Sequence, residues 1–65
     1  MRPSELLPFL DREIELYYNI ANSDGKYVGT LKEIDFKGKQ PIVVMEGKKK
    51  NMYIPLNRVQ KVEEV

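Results

Sequence analysis

From Glu13 to Ile20 the chain alternates without a break, with Ile14, Leu16, Tyr18 and Ile20 on one parity and Glu13, Glu15, Tyr17 and Asn19 on the other. Period-two patterning predicts a half-buried strand, here spanning about 12–21. Asn22-Ser23-Asp24-Gly25 follows, and Asp24-Gly25 suits the left-handed conformation of a hairpin turn. A second strand is expected over about 26–36. Within it Tyr27 and Leu31 share a parity that Ile34 and Phe36 do not, so the inward face switches partway. Such a switch requires a bulge or sharp bend, and Gly29 lies close to it. Ile42-Val43-Val44-Met45 is apolar at consecutive positions, which predicts a central strand over about 41–46 covered on both sides. Met52 and Ile54 alternate with Tyr53 in a strand over about 50–55, and Pro55-Leu56-Asn57-Arg58 separates it from a last strand over about 59–64.

Ahead of these strands, Ser4 is a candidate helix N-cap, with Leu6, Leu7, Phe9 and Leu10 placing apolar groups around a short helix over about 4–11. Pro8 limits it to about two turns, which makes it a lid over something apolar. Five short strands joined by tight turns are too few for a two-sheet sandwich of ordinary size. They suit a small, strongly bent antiparallel barrel whose closure hides the sheet edges. The expected core is Leu6, Leu7, Leu10, Ile14, Leu16, Tyr18, Ile20, Tyr27, Leu31, Ile34, Ile42, Val44, Ile54, Val59 and Val62.

At 65 residues the chain is one domain, and folding removes only about 60% of the surface that so short a chain exposes. A disulfide, a metal or a partner chain usually supplements a core of this size. Cys and His are both absent, which excludes disulfides, Cys/His zinc sites and Ser-His or Cys-His nucleophile pairs. Association with further chains is the remaining support. No apolar run is long enough to span a bilayer and no secretory leader is readable, so a cytoplasmic protein without membrane contact is expected. The net charge of +1 conceals a division: residues 1–25 hold two basic and five acidic side chains, whereas residues 26–61 hold nine basic and three acidic.

With these elements in place, Gly25-Lys26-Tyr27-Val28-Gly29-Thr30-Leu31-Lys32-Glu33-Ile34-Asp35 resembles the first motif of the Sm and Sm-like (LSm) proteins. That motif reads aromatic-x-Gly-x-Leu-x-x-x-Asp in a bent second strand, and Tyr27, Gly29, Leu31 and Asp35 stand at the matching positions. The resemblance implies an SH3-like, Sm-like barrel with a short N-terminal helix. It also implies a homo-oligomeric ring, hexameric or heptameric, in which strand four of one subunit pairs with strand five of the next. Met52, Tyr53, Ile54, Val59, Lys61 and Val62 would then form the subunit interface. Family members that bind uridine-rich RNA carry an Asn shortly after the Asp and an Arg-Gly or Lys-Gly pair between strands four and five. Here the corresponding loops read Phe36-Lys37-Gly38-Lys39-Gln40 and Pro55-Leu56-Asn57-Arg58, so of that pocket only the acidic position, Asp35, carries over.

The chemistry on these loops is that of a single-stranded RNA contact. Lys37 and Lys39 on one loop and Lys48, Lys49 and Lys50 on another can neutralise phosphates, and they form one basic rim if both loops reach the same side. Phe36 beside Lys37 can stack on a base, its bland alternative being to fill the core. Asn57 and Arg58 complete the candidate set. Asp35 doubles as a turn-stabilising carboxylate, and the three consecutive lysines as a solubilising hairpin tip. Tyr17 and Tyr53 point away from the core and suit either a subunit contact or stacking. Catalysis is not expected, because no carboxylate pair or phosphate-binding glycine loop is spaced for it, and no cofactor is expected. The alternative function is a protein-interaction or scaffold barrel without nucleic acid, since Tyr27-Val28-Gly29 and Tyr53 to Val59 are also similar to PRC-barrel and other SH3-like modules.

Overall fold

A computed structural model describes all 65 residues. The N-terminal turn of helix, α1 (Pro3–Leu6), runs into a 3-10 turn at Leu7–Phe9. Its cap is Arg2 rather than Ser4: the Arg2 N–H donates to Glu5 Oε1 at 2.8 Å, and Pro3 occupies the first helical position, where a missing N–H costs nothing. Pro8 falls in the 3-10 turn, and the helix is accordingly shorter than the 4–11 expected. The segment still works as a lid, for Leu6 is fully buried and Met1 and Phe9 pack against the core.

Five antiparallel strands follow, β1 (Glu13–Ile20), β2 (Ser23–Asp35), β3 (Ile42–Glu46), β4 (Asn51–Pro55) and β5 (Val59–Glu64), in one sheet ordered β4-β3-β2-β1-β5. The mainly β class, the strand count and the N-terminal helix agree with the sequence reading. The closed barrel does not: β4 and β5 form no ladder with each other, so the sheet keeps two free edges. It is nevertheless curled. Four strand spacings of about 4.8 Å and one layer of side chains would give a slab about 19 Å wide and 10 Å thick. The molecule instead measures 26 × 25 × 22 Å, and only the 3-10 turn Leu56–Arg58 carries the chain from one edge strand to the other.

The β1–β2 hairpin turns at Ala21-Asn22, with φ of 54° and 62°, and pairs Ile20 with Ser23. A two-residue turn of this hand needs positive φ at both central positions, so the turn lies three residues before Asp24-Gly25 and β2 gains three residues at its start. Gly25 instead sits in the ladder opposite Tyr18, whose ring occupies the space a side chain there would need. The expected irregularity in β2 is present, but at Lys32: Leu31 pairs with Met45 and Glu33 with Val44, leaving Lys32 as the extra residue. This bulge switches the inward parity from Leu31 to Ile34. The segment preceding β1 fastens to β2 at the same place, with the Asp11 N–H donating to the Leu31 carbonyl at 2.7 Å and the Leu31 N–H to the Arg12 carbonyl at 3.1 Å.

Leu6, Ile14, Leu16, Leu31, Ile34, Val43, Met45, Ile54, Leu56 and Val59 make the core, with Tyr18, Tyr27, Met52 and Val62 packed at its margin. Val43 and Met45 take the places expected of Ile42 and Val44, because the Leu31–Met45 pairing sets the parity of β3 and a run of four apolar residues carries none of its own. Val44 is buried outside that cluster and Ile42 only partly so. Leu7 and Leu10 are exposed because the helix ends early, and Ile20 because it sits beside the hairpin turn.

Gly29 lies against the backbone of Glu46 at the end of β3. A Cβ there would meet the Glu46 carbonyl oxygen at 2.5 Å, and that oxygen is part of a strand that cannot yield cheaply. Gly29→Ala is therefore expected to destabilise the protein by about 1–3 kcal/mol, the range for overpacking a tight site, as read by urea denaturation. Unchanged stability would mean that β2 and β3 are not held this close.

Candidate nucleic-acid interface

Two loops and one turn carry the candidate side chains, and the topology divides them between the two ends of β3. The β2–β3 loop leaves Asp35 at the beginning of β3, which pairs with it as Ile42. Asp35 Oδ1 accepts the Lys37 N–H at 2.8 Å, so its carboxylate closes the loop in the manner of an Asx turn. Phe36, Lys37 and Lys39 are exposed on this loop, and Phe36, at 57% exposure, fills no core. The Leu56 N–H donates to the Pro41 carbonyl at 2.9 Å, which anchors the start of the Leu56–Arg58 turn beside the end of the same loop. Leu56 is buried below, while Asn57 and Arg58 project into solvent.

Lys48, Lys49 and Lys50 occupy the other end. They follow Glu46 across Gly47, and the five residues of β3 separate them from the first group by about 15 Å. A single basic rim made of both loops of one chain is therefore corrected to two basic groups at opposite ends of a strand. Sequence parity could not reveal this, since it orders faces but not strand ends.

Among the interface candidates, Ile54 and Val59 are committed to the chain's own core. Met52 and Val62 are half-buried at its margin, and Lys61 and Tyr53 are exposed, Tyr53 at 63%. A feature that patterning alone did not single out lies on the outer face of β1. The Tyr17 ring has the Lys61 ammonium 4.7 Å and the Lys26 ammonium 5.9 Å from its centroid, since both lysines are its cross-strand partners. The Tyr17 hydroxyl donates to Glu15 Oε1 at 2.9 Å, and Lys61 pairs with Glu63 at 3.0 Å. Its positive and negative charges balance, which makes it a stabilising cross-strand network rather than an anion site.

A shallow groove of about 510 Å³ runs over Val28, Gly29 and Thr30 between Glu13, Glu46 and Lys48. No group of His, Cys, Asp or Glu side chains is arranged to hold a metal ion, and no helix is long and apolar enough to cross a membrane. No family model matches the chain, and no curated protein or solved structure matches it.

The Tyr17 network has a titration signature. Its hydrogen bond to Glu15, together with desolvation and the nearby carboxylates, raises the Tyr17 pKa above the ordinary 10.0, and the Glu63 partner raises that of Lys61. Both shifts favour the protonated forms in the folded state. Their contribution to stability is thus complete below pH 10 and lost as the pH rises through the raised values. Ultraviolet titration should show a tyrosine component ionising above the ordinary 10.0, and Tyr17→Phe should remove it. A component that persists there in Tyr17→Phe would contradict the assignment.

Proposed function

We propose that this chain is an Sm-like subunit that assembles into a homo-oligomeric ring of six or seven copies and binds single-stranded RNA through loop residues. The observation that carries this reading is that β4 and β5, each paired on one side only, leave two free edges on a curled sheet. A free edge presents a row of unsatisfied N–H and C=O groups, and two such edges on one small domain allow head-to-tail pairing that closes on itself. The residues on those edges suit the role. Pro55, which lacks a donor, ends β4, and the exposed Tyr53 stands in its middle.

RNA would meet the end of β3 that holds Phe36, Lys37, Lys39, Asn57 and Arg58. Phe36 supplies a stacking face and the lysines contact phosphate, while Asp35 holds the loop in shape through Lys37. A ring repeats this arrangement once per subunit, and the repetition turns a weak contact into avid capture of a long strand.

Mass determination of the native protein, followed by RNA titration of the same material across salt, tests the reading. The expected result is a hexamer or heptamer whose affinity for a single-stranded RNA falls with salt and drops about tenfold in the Lys37→Gln/Lys39→Gln variant. A single-chain mass would overturn the ring. An assembled protein with no salt-dependent RNA binding would overturn the RNA contact and leave a protein-interaction or scaffold module as the reading.

A further inference from the structure

The lysine tip is set apart from the loop end by more than distance. The Lys50 carbonyl accepts two hydrogen bonds, from the Gly47 N–H at 3.0 Å and from the Tyr27 hydroxyl at 3.2 Å. The Tyr27 hydroxyl lies over Gly47 where any side chain would stand, so the four-residue connection Gly47–Lys50 is folded down onto β2. Three consecutive lysines are thus displayed on a braced turn, which lowers the ordering entropy lost when they meet a ligand.

None of the three takes part in an ion pair; the salt bridges of the protein use Arg12, Lys32 and Lys61. The nearby carboxylates, Glu13 and Glu46, line the groove behind Lys48 on the sheet face. They repel a polyanion from that face and leave the tip as its point of approach. The well-exposed aromatic rings are elsewhere, Phe36 at the far end of β3 and Tyr53 in the middle of β4. Tyr27 does not serve, because its ring packs against the core and its hydroxyl is engaged. The tip therefore offers charge without a stacking surface, and a contact of that kind reads phosphate and not bases.

We propose that Lys48, Lys49 and Lys50 form a second nucleic-acid site that grips the phosphate backbone without regard to strandedness, so that it accepts a duplex on whose bases Phe36 cannot stack. The site extends the RNA-binding reading above and rests on it only for the class of polyanion. Base stacking on Phe36 requires an unpaired base, whereas a lysine contact to phosphate is equally available on a paired strand. One protein assembly would then hold a single strand at one end of its sheets and a structured or paired segment at the other.

The test compares a blunt 20-base-pair RNA duplex with a 20-nucleotide single strand, each titrated between low and moderate salt. It uses the wild type, Lys48→Gln/Lys49→Gln/Lys50→Gln and, as the loop variant, Phe36→Ala. Phe36 and the three lysines are exposed, and thermal melting checks that the variants fold alike. The tip variant should weaken duplex binding about tenfold or more and flatten its log–log salt slope by about 0.9 for every phosphate it no longer neutralises. The loop variant should leave the duplex within about twofold while weakening the single strand. Duplex affinity that is absent in the wild type, unchanged in the tip variant, or lowered equally by both variants would overturn the proposal. Failure of the single strand to respond to the loop variant while the duplex responds to the tip would instead count against the loop site alone.

Discussion

The bend in β2 is the constraint on which the rest of this small protein depends. Thirteen residues of one strand serve two partners, β1 along its first half and β3 along its second, with the bulge at Lys32 where the second partnership changes register. Because Gly29 has no side chain, the Glu46 carbonyl can lie close against β2, and because Lys32 is unpaired, Leu31 and Ile34 can both face inward. The two halves of a single sheet are thereby folded over one another, and a chain too short for two sheets encloses Leu6, Leu16, Leu31, Met45 and Ile54 completely. A flat version of this sheet would bury each of these on one side only.

The same bend distributes the candidate surfaces. It leaves β4 and β5 at opposite edges of the sheet yet joined by one three-residue turn, and that turn starts beside the β2–β3 loop at Pro41. It also holds Tyr27 where its hydroxyl can brace the β3–β4 turn. One backbone feature thus shapes the free edges, the loop end and the lysine tip. The polar cross-strand network around Tyr17 lies outside this set; it covers the outer face of β1 and is self-contained in charge.

Much of the fold was legible because alternation is a direct print of a pleated strand. The Glu13–Ile20 pattern located β1 to within a residue, and the parity conflict between Leu31 and Ile34 announced a bulge. What failed did so where the sequence holds two answers. Ala21-Asn22 and Asp24-Gly25 can each turn a chain; the first pair takes the positive φ, and the second stays in the ladder with Tyr18 packed over Gly25. The apolar run Ile42 to Met45 has no parity until β2 imposes one. Asp35 was legible as a turn carboxylate, whereas the sequence left Phe36 between stacking and core filling until the structure exposed it, and the grouping of the site residues was not legible. Whether two loops share an end depends on strand direction and order, which residue patterning does not record.

Amide hydrogen exchange at the two sheet edges tests the central claim, that β4 and β5 are completed by further copies of the chain. In the native protein at assembly-forming concentration, amides along both edges should exchange slowly, approaching those of β2, and should become labile together on dilution. Edge amides that exchange at unprotected rates at every concentration, while those of β2 stay protected, would contradict it.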